Sequence, residues 1–408
     1  MKKQLLSTLI VIFSFCTFAQ LNNTIVIGHI DTTYSEILGE ERALWIHTPE
    51  GSLDSSFQGK FPVLYLLDGD AHFHSTSGMI KQLSSVNGNE KIPRMVIVGI
   101  PNTYTSRVRD LSPYSIAERP GSGGGNQFLD FIEKELIPYI GSKYPVADHR
   151  IFVGHSLGGL AVINALLHRP YLFDNYIAID PSLWWNEQEM LKEMDSVSQS
   201  TQFENKSLYI SVANTMPDRL VYSTVMNDTS KASEHIRSII AFSTKLDKNP
   251  VNGLEFKWKY YENDSHGSVP LISAYDALRH LYSWYECECY DELFGEGTTK
   301  TGLEWSEILI NHYTLLTEKM GYDSKPEEQM LNGMGHWLLD KKEFEKAYAF
   351  FYLNVHYYPE SYNAYDSMGN YYLAQEDKKN AVMYFEKCLE LGGLPYTKKK
   401  LKKLKRNK

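Results

Sequence analysis

Gly154-His155-Ser156-Leu157-Gly158-Gly159-Leu160 follows an apolar run, Ile151-Phe152-Val153, and opens a helical pattern from Leu160 to Leu167. A serine between two glycines at a strand-to-helix turn can act as a nucleophile. The turn is tight enough to need glycine where backbones pass, and the helix behind it aims amides at developing negative charge. Ser156 is the expected nucleophile. Its hydroxyl needs a base to take the proton, and the base should come from later in the chain. His266 fits, in the loop Glu262-Asn263-Asp264-Ser265-His266-Gly267-Ser268 between the last apolar strand and a helix. His235 and His280 fall inside helical stretches and read as surface or packing residues, and His155 reads as turned away from the chemistry. The acid that orients the imidazole should leave the sheet between Ser156 and His266. Asp218 leads, a short polar loop after Leu208 to Val212, with Asp228, Glu234, Asp180 or no acid at all as the alternatives. An oxyanion would be met by the amide of Leu157 and by that of Asp70, after the bend that Gly69 permits at the end of Tyr65-Leu66-Leu67-Asp68. His72 and His74 lack the partner spacing of a metal site and read as pocket-rim residues. Gly121-Ser122-Gly123-Gly124-Gly125 lacks the Lys-Ser/Thr of a phosphate loop and reads as a mobile connection. No metal or organic cofactor is implied.

The elements that must position these residues alternate along the chain. Ile25 to Ile27 and Arg42 to Ile46 read as two opening antiparallel strands. Val63 to Leu67, Met95 to Val98, Ile151 to Val153, Tyr176 to Ile179 and Leu208 to Val212 are apolar runs suited to strands buried on both faces. Phe256 to Tyr260 completes the set, with helical patterns between the runs. This predicts an α/β unit over 20–291 with a mostly parallel sheet flanked by helices. A Gly/Thr-rich stretch at 292–302 reads as a linker, and 303–408 as a small all-α domain. There, Met334-Gly335, Leu338, Ala347 and Phe351 recur 34 residues later as Met368-Gly369, Tyr372, Ala381 and Phe385. That spacing resembles two tetratricopeptide repeats, at about 328–361 and 362–395. No catalytic candidate lies in them, so they are expected to serve stability or to dock a protein partner.

The 408 residues are 43% hydrophobic and 22% charged, ordinary globular usage that excludes a disordered, collagenous or multi-span membrane chain. Lys2, Lys3 and the block from Lys398 to Lys408 hold 10 basic residues and no acid, which leaves 31 basic against 50 acidic residues between, a net −19. That field would repel nucleic-acid phosphates. Residues 1–19 read as an export signal cleaved after Ala19, from Lys2-Lys3, the apolar run Leu9 to Phe15 and the small residues before Gln20. A lipid anchor on Cys16 is disfavoured by bulky Phe15, and the run is too short to span a membrane. The expected location is secreted or periplasmic, with no integral membrane segment after cleavage. Cys287, Cys289 and Cys388 would remain, read as buried or free thiols.

Tyr65 to Gly69, Val98-Gly99-Ile100-Pro101-Asn102, Arg109-Asp110-Leu111-Ser112-Pro113, the elbow, and Pro181-Ser182-Leu183-Trp184-Trp185 together resemble the putative esterase family of α/β-hydrolases. That family includes esterase D, feruloyl, acetylxylan and siderophore esterases. The resemblance runs over roughly Ile25 to Tyr285 and is strongest to the siderophore-esterase-like branch, some members of which carry a helical-repeat tail. Asp180 departs from the branch by standing where a serine usually precedes the Pro-Ser pair. The resemblance implies an aromatic wall of Trp184 and Trp185 beside the nucleophile, and Arg107 or Arg109 toward an anionic substrate. The plainer readings are a core tryptophan pair and an Arg109 to Asp110 salt bridge. The expectation is an exported serine esterase acting through an acyl-enzyme on a small-molecule siderophore-type, phenolic or acetyl ester. A serine acyltransferase or peptidase on the same fold, or a repeat-mediated binding protein with an inert hydrolase scaffold, are the alternatives.

Overall fold

The computed structural model describes residues 24–53, 59–102, 104–200, 203–251, 253–295, 299–393 and 395–406, so the expected export signal at 1–19 lies outside the described residues. The first strand, β1 (His29–Ser35), pairs antiparallel with β2 (Glu40–His47). It begins after the Ile25 to Ile27 run that was expected to form it, because register with β2 is set by Trp45 and Ile46 opposite Ile30 and His29. The wholly buried runs become β3 (Phe61–Leu67), β4 (Val96–Ile100), β5 (Val146–His155), β6 (Asn175–Ile179) and β7 (Lys206–Ala213), and the half-exposed β8 (Leu254–Tyr261) closes the edge. The sheet order is β1-β2-β4-β3-β5-β6-β7-β8. Only β1/β2 and β2/β4 are antiparallel; the remaining pairs are parallel.

Helices cover both faces, as parallel strands require. Val63, Tyr65 and Leu67 of β3 point to one face, with Phe152 and Ala178, under α3 (Gly125–Phe131), α5 (Leu157–His168) and α7 (Glu234–Lys248). Leu64 and Leu66 point to the other, with Val153 and Ile177, under α1 (Gly69–Ser84) and α8 (Val269–Leu281). Between them run α2 (Tyr104–Leu111), α4 (Ile137–Lys143), joined to α3 by a π turn, and α6 (Trp185–Ser200). The Gly121 to Gly125 loop is tied down by the amides of Gly123, on the Ser112 hydroxyl, and of Gly124, on the Arg109 carbonyl. That corrects its reading as a mobile connection.

The short α9 (Tyr290–Phe294) falls partly in the expected linker, and its Leu293 is fully buried. Beyond it come α10 (Gly302–Met320), α11 (Glu328–Asp340), α12 (Phe344–Tyr357), α13 (Tyr362–Ala374), α14 (Lys378–Glu390) and α15 (Pro395–Arg406). A Cβ on Gly335 would lie 2.6 Å from the Phe351 ring, and one on Gly369 would lie 2.5 Å from the Phe385 ring. The same glycine-under-aromatic contact thus joins α11 to α12 and α13 to α14. Cys287 and Cys289 form a disulfide, which corrects their reading as thiols; Cys388 is a buried thiol with its Sγ 3.8 Å from the Thr397 hydroxyl.

Candidate active site

The elbow between β5 and α5 holds Ser156 at φ 61° and ψ −115°, a backbone conformation that costs a non-glycine residue energy and marks a functional turn. A Cβ on Gly154 would lie 2.3 Å from the Gly158 backbone, and one on Gly159 would lie 2.9 Å from Pro181, so glycine is what lets this turn close. The Ser156 amide donates to the Ile179 carbonyl, and Ser182 returns a bond to the Ser156 carbonyl. The Ser156 hydroxyl lies 3.3 Å from that of Ser182. Leu157 opens α5, where the first amides lack intrahelical acceptors and face incoming negative charge.

His266 sits in the loop between β8 and α8, and its ring lies 4.4 Å from that of His155, the neighbour of Ser156, tilted 42° to it. Its Nδ1 is 2.6 Å from Oδ2 of Asp180. An ionised carboxylate only accepts, so Nδ1 carries the proton and Nε2 is left as the basic nitrogen. Asp180 ends β6 at φ 41° and is fully buried. Burial alone would raise its pKa, but bonds from His235 and His266, the field of His235 and the Ala213 amide outweigh it and hold the carboxyl well below the usual range. The acid beside the base is therefore Asp180, which corrects the leading expectation. Asp218 is exposed on the loop after β7, and Asp228 is spent on Arg219, Ser230 and Ser233. Asp180 was named only as an alternative. Its signal was an aspartate at the tip of an apolar strand where the resembling branch carries serine.

Two histidines read as bystanders lie in the same cluster. His235, on the first turn of α7, places Nε2 2.9 Å from the same Asp180 oxygen. His155 is wedged between His72 and His266, and burial, reinforced by the charges of His266 and His72, pushes its pKa down to about 4. Among the described residues, Asp180, His235 and His266 are the one group of three whose donor atoms lie within 4.8 Å of one another. Separations of 2.6 and 2.9 Å are hydrogen-bond lengths, shorter than the roughly 3.3 Å between two ligands on a tetrahedral ion, so the group is hydrogen-bonded and not a ligand set. His74 is exposed.

Asp68 follows β3 in the left-handed region and is gripped by Arg107 in a bidentate pair, Nε to Oδ1 at 2.7 Å and Nη2 to Oδ2 at 2.9 Å, and by the Asn102 side chain. Arg107 also reaches the His155 carbonyl at 3.4 Å, so it ties the loop before α1 to the elbow. The Asp70 carboxylate accepts from the Asn102 amide, and its own N–H lies in the open first turn of α1. A cleft of about 460 Å³ lined by Glu40, Pro101, Asn102 and Arg109 opens next to this loop, and neither Ser156 nor His266 lines it. Arg109 faces it, but its guanidinium is taken up by Glu40 and Asp110, which corrects the expectation that it binds substrate. Trp185 is a core residue whose indole N–H donates to the Tyr114 carbonyl, so of the tryptophan pair only the half-buried Trp184 fits a pocket wall.

A profile of the Putative esterase family matches residues 35–238. The siderophore triacetylfusarinine C esterase of Aspergillus fumigatus is 34% identical over 143 residues, 33% of this chain and 49% of that protein, so the match spans about half of that relative's length. Ferri-bacillibactin esterase BesA of Bacillus subtilis is 33% identical over 235 residues, 54% of this chain and 78% of that protein. The crystal structure of an IroE-like serine hydrolase from Shewanella oneidensis shares 30% identity and a TM-score of 0.66, over 81% of this chain and 99% of that one. With its elbow, its eight-stranded sheet and a family match across half its length, the chain belongs to the Putative esterase family.

Proposed function

We propose that this chain is an exported serine esterase that cleaves the ester bonds of a siderophore-type substrate through an acyl-enzyme. The observation that carries the reading is the Asp180 to His266 hydrogen bond beside a serine held in a strained elbow. Ser156 Oγ attacks the ester carbonyl as His266 Nε2 takes its proton. Asp180 holds the imidazole and stabilises the imidazolium, and the amides of Leu157 and Asp70 receive the oxyanion. His266 then protonates the departing alcohol, and water repeats the sequence to release the acid. The siderophore class is supported by the names of the A. fumigatus and B. subtilis relatives. Export is supported by the pattern of 1–19. No helix of the described residues is long and apolar enough to cross a membrane. The repeat-like tail is assigned to stability or partner docking.

Purified protein offered p-nitrophenyl acetate, a phenolic ester and an iron-loaded catecholate trilactone should turn over the trilactone most efficiently. A fluorophosphonate should leave one adduct, on Ser156, and Ser156→Ala should fold normally without hydrolysing any of the three. An adduct elsewhere, or turnover by the alanine variant, refutes the assignment.

A further inference from the structure

Asp180 Oδ2 accepts from two imidazoles at once, His266 Nδ1 at 2.6 Å and His235 Nε2 at 2.9 Å, while Oδ1 accepts from the Ala213 amide at 2.8 Å. The two rings meet edge to face, 5.1 Å apart and 88° to one another. A carboxylate that serves one histidine needs no second, and a helix-surface histidine needs no buried acid. Yet α7 begins where it turns His235 inward onto a fully buried group.

We infer that His235 is a positioning residue for the catalytic pair: its N–H holds the Asp180 carboxylate in line with His266 and draws off part of the charge that His266 would otherwise feel. This rests on the proposed serine mechanism for its effect on turnover, but not for its effect on the His266 imidazole. The donor shared on Oδ2 weakens that oxygen as an acceptor for Nδ1–H, so the imidazolium form of His266 is stabilised less than by a carboxylate with one partner. A protonated His235 would act in the same direction by repulsion. The other groups around the pair come from separate elements. His155 lies at the end of β5, with His72 of α1 behind it, and Asp68, after β3, adds its field to both. Asp264 shares the His266 loop, where Ser268 donates to it, and Glu234 precedes His235 on α7. None of these touches Asp180 Oδ2, so removing His235 changes one contact of the acid and leaves the rest.

The test compares His235→Leu, which keeps bulk without a donor, with His235→Gln, whose amide can reach the Nε2 position. The His266 titration midpoint, read by NMR on 15N-labelled full-length protein without substrate, should rise in the leucine variant and return to the parental value in the glutamine variant. The acid limb of the pH profile for fluorophosphonate labelling of Ser156 should move by the same amount. For whichever ester the parent hydrolyses, kcat should fall roughly 10-fold at unchanged KM, the scale of losing an outer hydrogen-bond partner. Should the leucine variant not fold, His235→Asn, whose shorter amide cannot span to Oδ2, gives the same reading. A folded variant lacking the donor but with the parental His266 midpoint overturns the inference. A shifted midpoint in a protein that neither labels nor hydrolyses leaves the inference standing and removes the serine mechanism. If His235→Leu abolishes labelling while His266→Ala retains it, the two histidines have the opposite roles and the inference fails.

Discussion

Ser156, His266 and Asp180 come from the ends of β5, β8 and β6, and each is held by a different physical device: a strained turn, a tilted ring contact with His155 and complete burial. Replacing Asp180 by Asn keeps the shape but favours the wrong imidazole tautomer, so Asp180→Asn should lower turnover by about 10⁴ while Asp218→Asn leaves it unchanged. Steady-state rates of the two purified variants on one ester decide this. The proposed nucleophile and base could be singled out in the sequence because glycine spacing and the strand-loop-helix order restrict them locally. The acid could not, because Asp180 and Asp218 both follow an apolar strand between Ser156 and His266, and chain order alone cannot say which strand end faces the loop. His155 yields a pH prediction. Its folded pKa, about 4, lies below the unfolded 6.5, so the unfolded chain takes up the proton first and stability falls as pH drops from 6.5 toward 4. Asp180 acts in a lower window: its stabilisation is complete above 3.8 and is lost as pH falls toward its depressed folded value. Melting temperatures between pH 7 and 4.5 should therefore fall less in His155→Gln than in the parent.

At the scale of elements, the parallel strands were readable because burial on both faces leaves no polar residue to break the run. The long-range ionic ties were invisible, since nothing local links their partners. Arg42 on β2 lies 2.6 Å from Asp110 on α2, 68 residues away, and Asp110 is fully buried. The same aspartate takes Arg109, which reaches on to Glu40, so a helix beside the cleft is fastened to an antiparallel strand by four charges. The Arg42 guanidinium also lies 5.6 Å from the Phe128 ring centroid, which places it among aromatics and away from water. Asp110→Ala leaves that cation buried with only Glu40 as partner, and denaturant unfolding should report a loss of about 3 kcal/mol. Arg109→Ala removes a half-exposed member and should cost under about 1 kcal/mol.

Over the whole molecule, the tail is fastened to the catalytic unit by a shared core. Met320, the last residue of α10, is buried in the same cluster as Leu278 of the sheet's covering helix and Tyr282 just after it, and Tyr322 packs there too. Trp284 and Tyr285 belong to both that cluster and the tail's own core around Trp305 and Leu309. An ion pair from Arg94 to Glu327 also joins the catalytic unit to the tail. A linker at 292–302 would have predicted two independent bodies. The composition there looked like one because glycine and threonine dominate it, whereas Leu293 within it is buried in the tail's core and Met320 beyond it is buried against the sheet side. A chain ending at Asp291 therefore uncovers the sheet side of this junction: burial of Met320 and of part of Trp284 is worth about 2 kcal/mol each, and the melting temperature should drop by roughly 5–10 °C. Ser156, Asp180, His235 and His266 all lie before the cut and touch nothing beyond it among their hydrogen bonds. Below the lowered melting point, kcat and KM on a small ester should equal those of the full chain, measured on the monomeric fraction from size exclusion. Equal melting points would show that the junction adds no stability, and a folded truncated chain with lost kcat would show that the tail shapes the site.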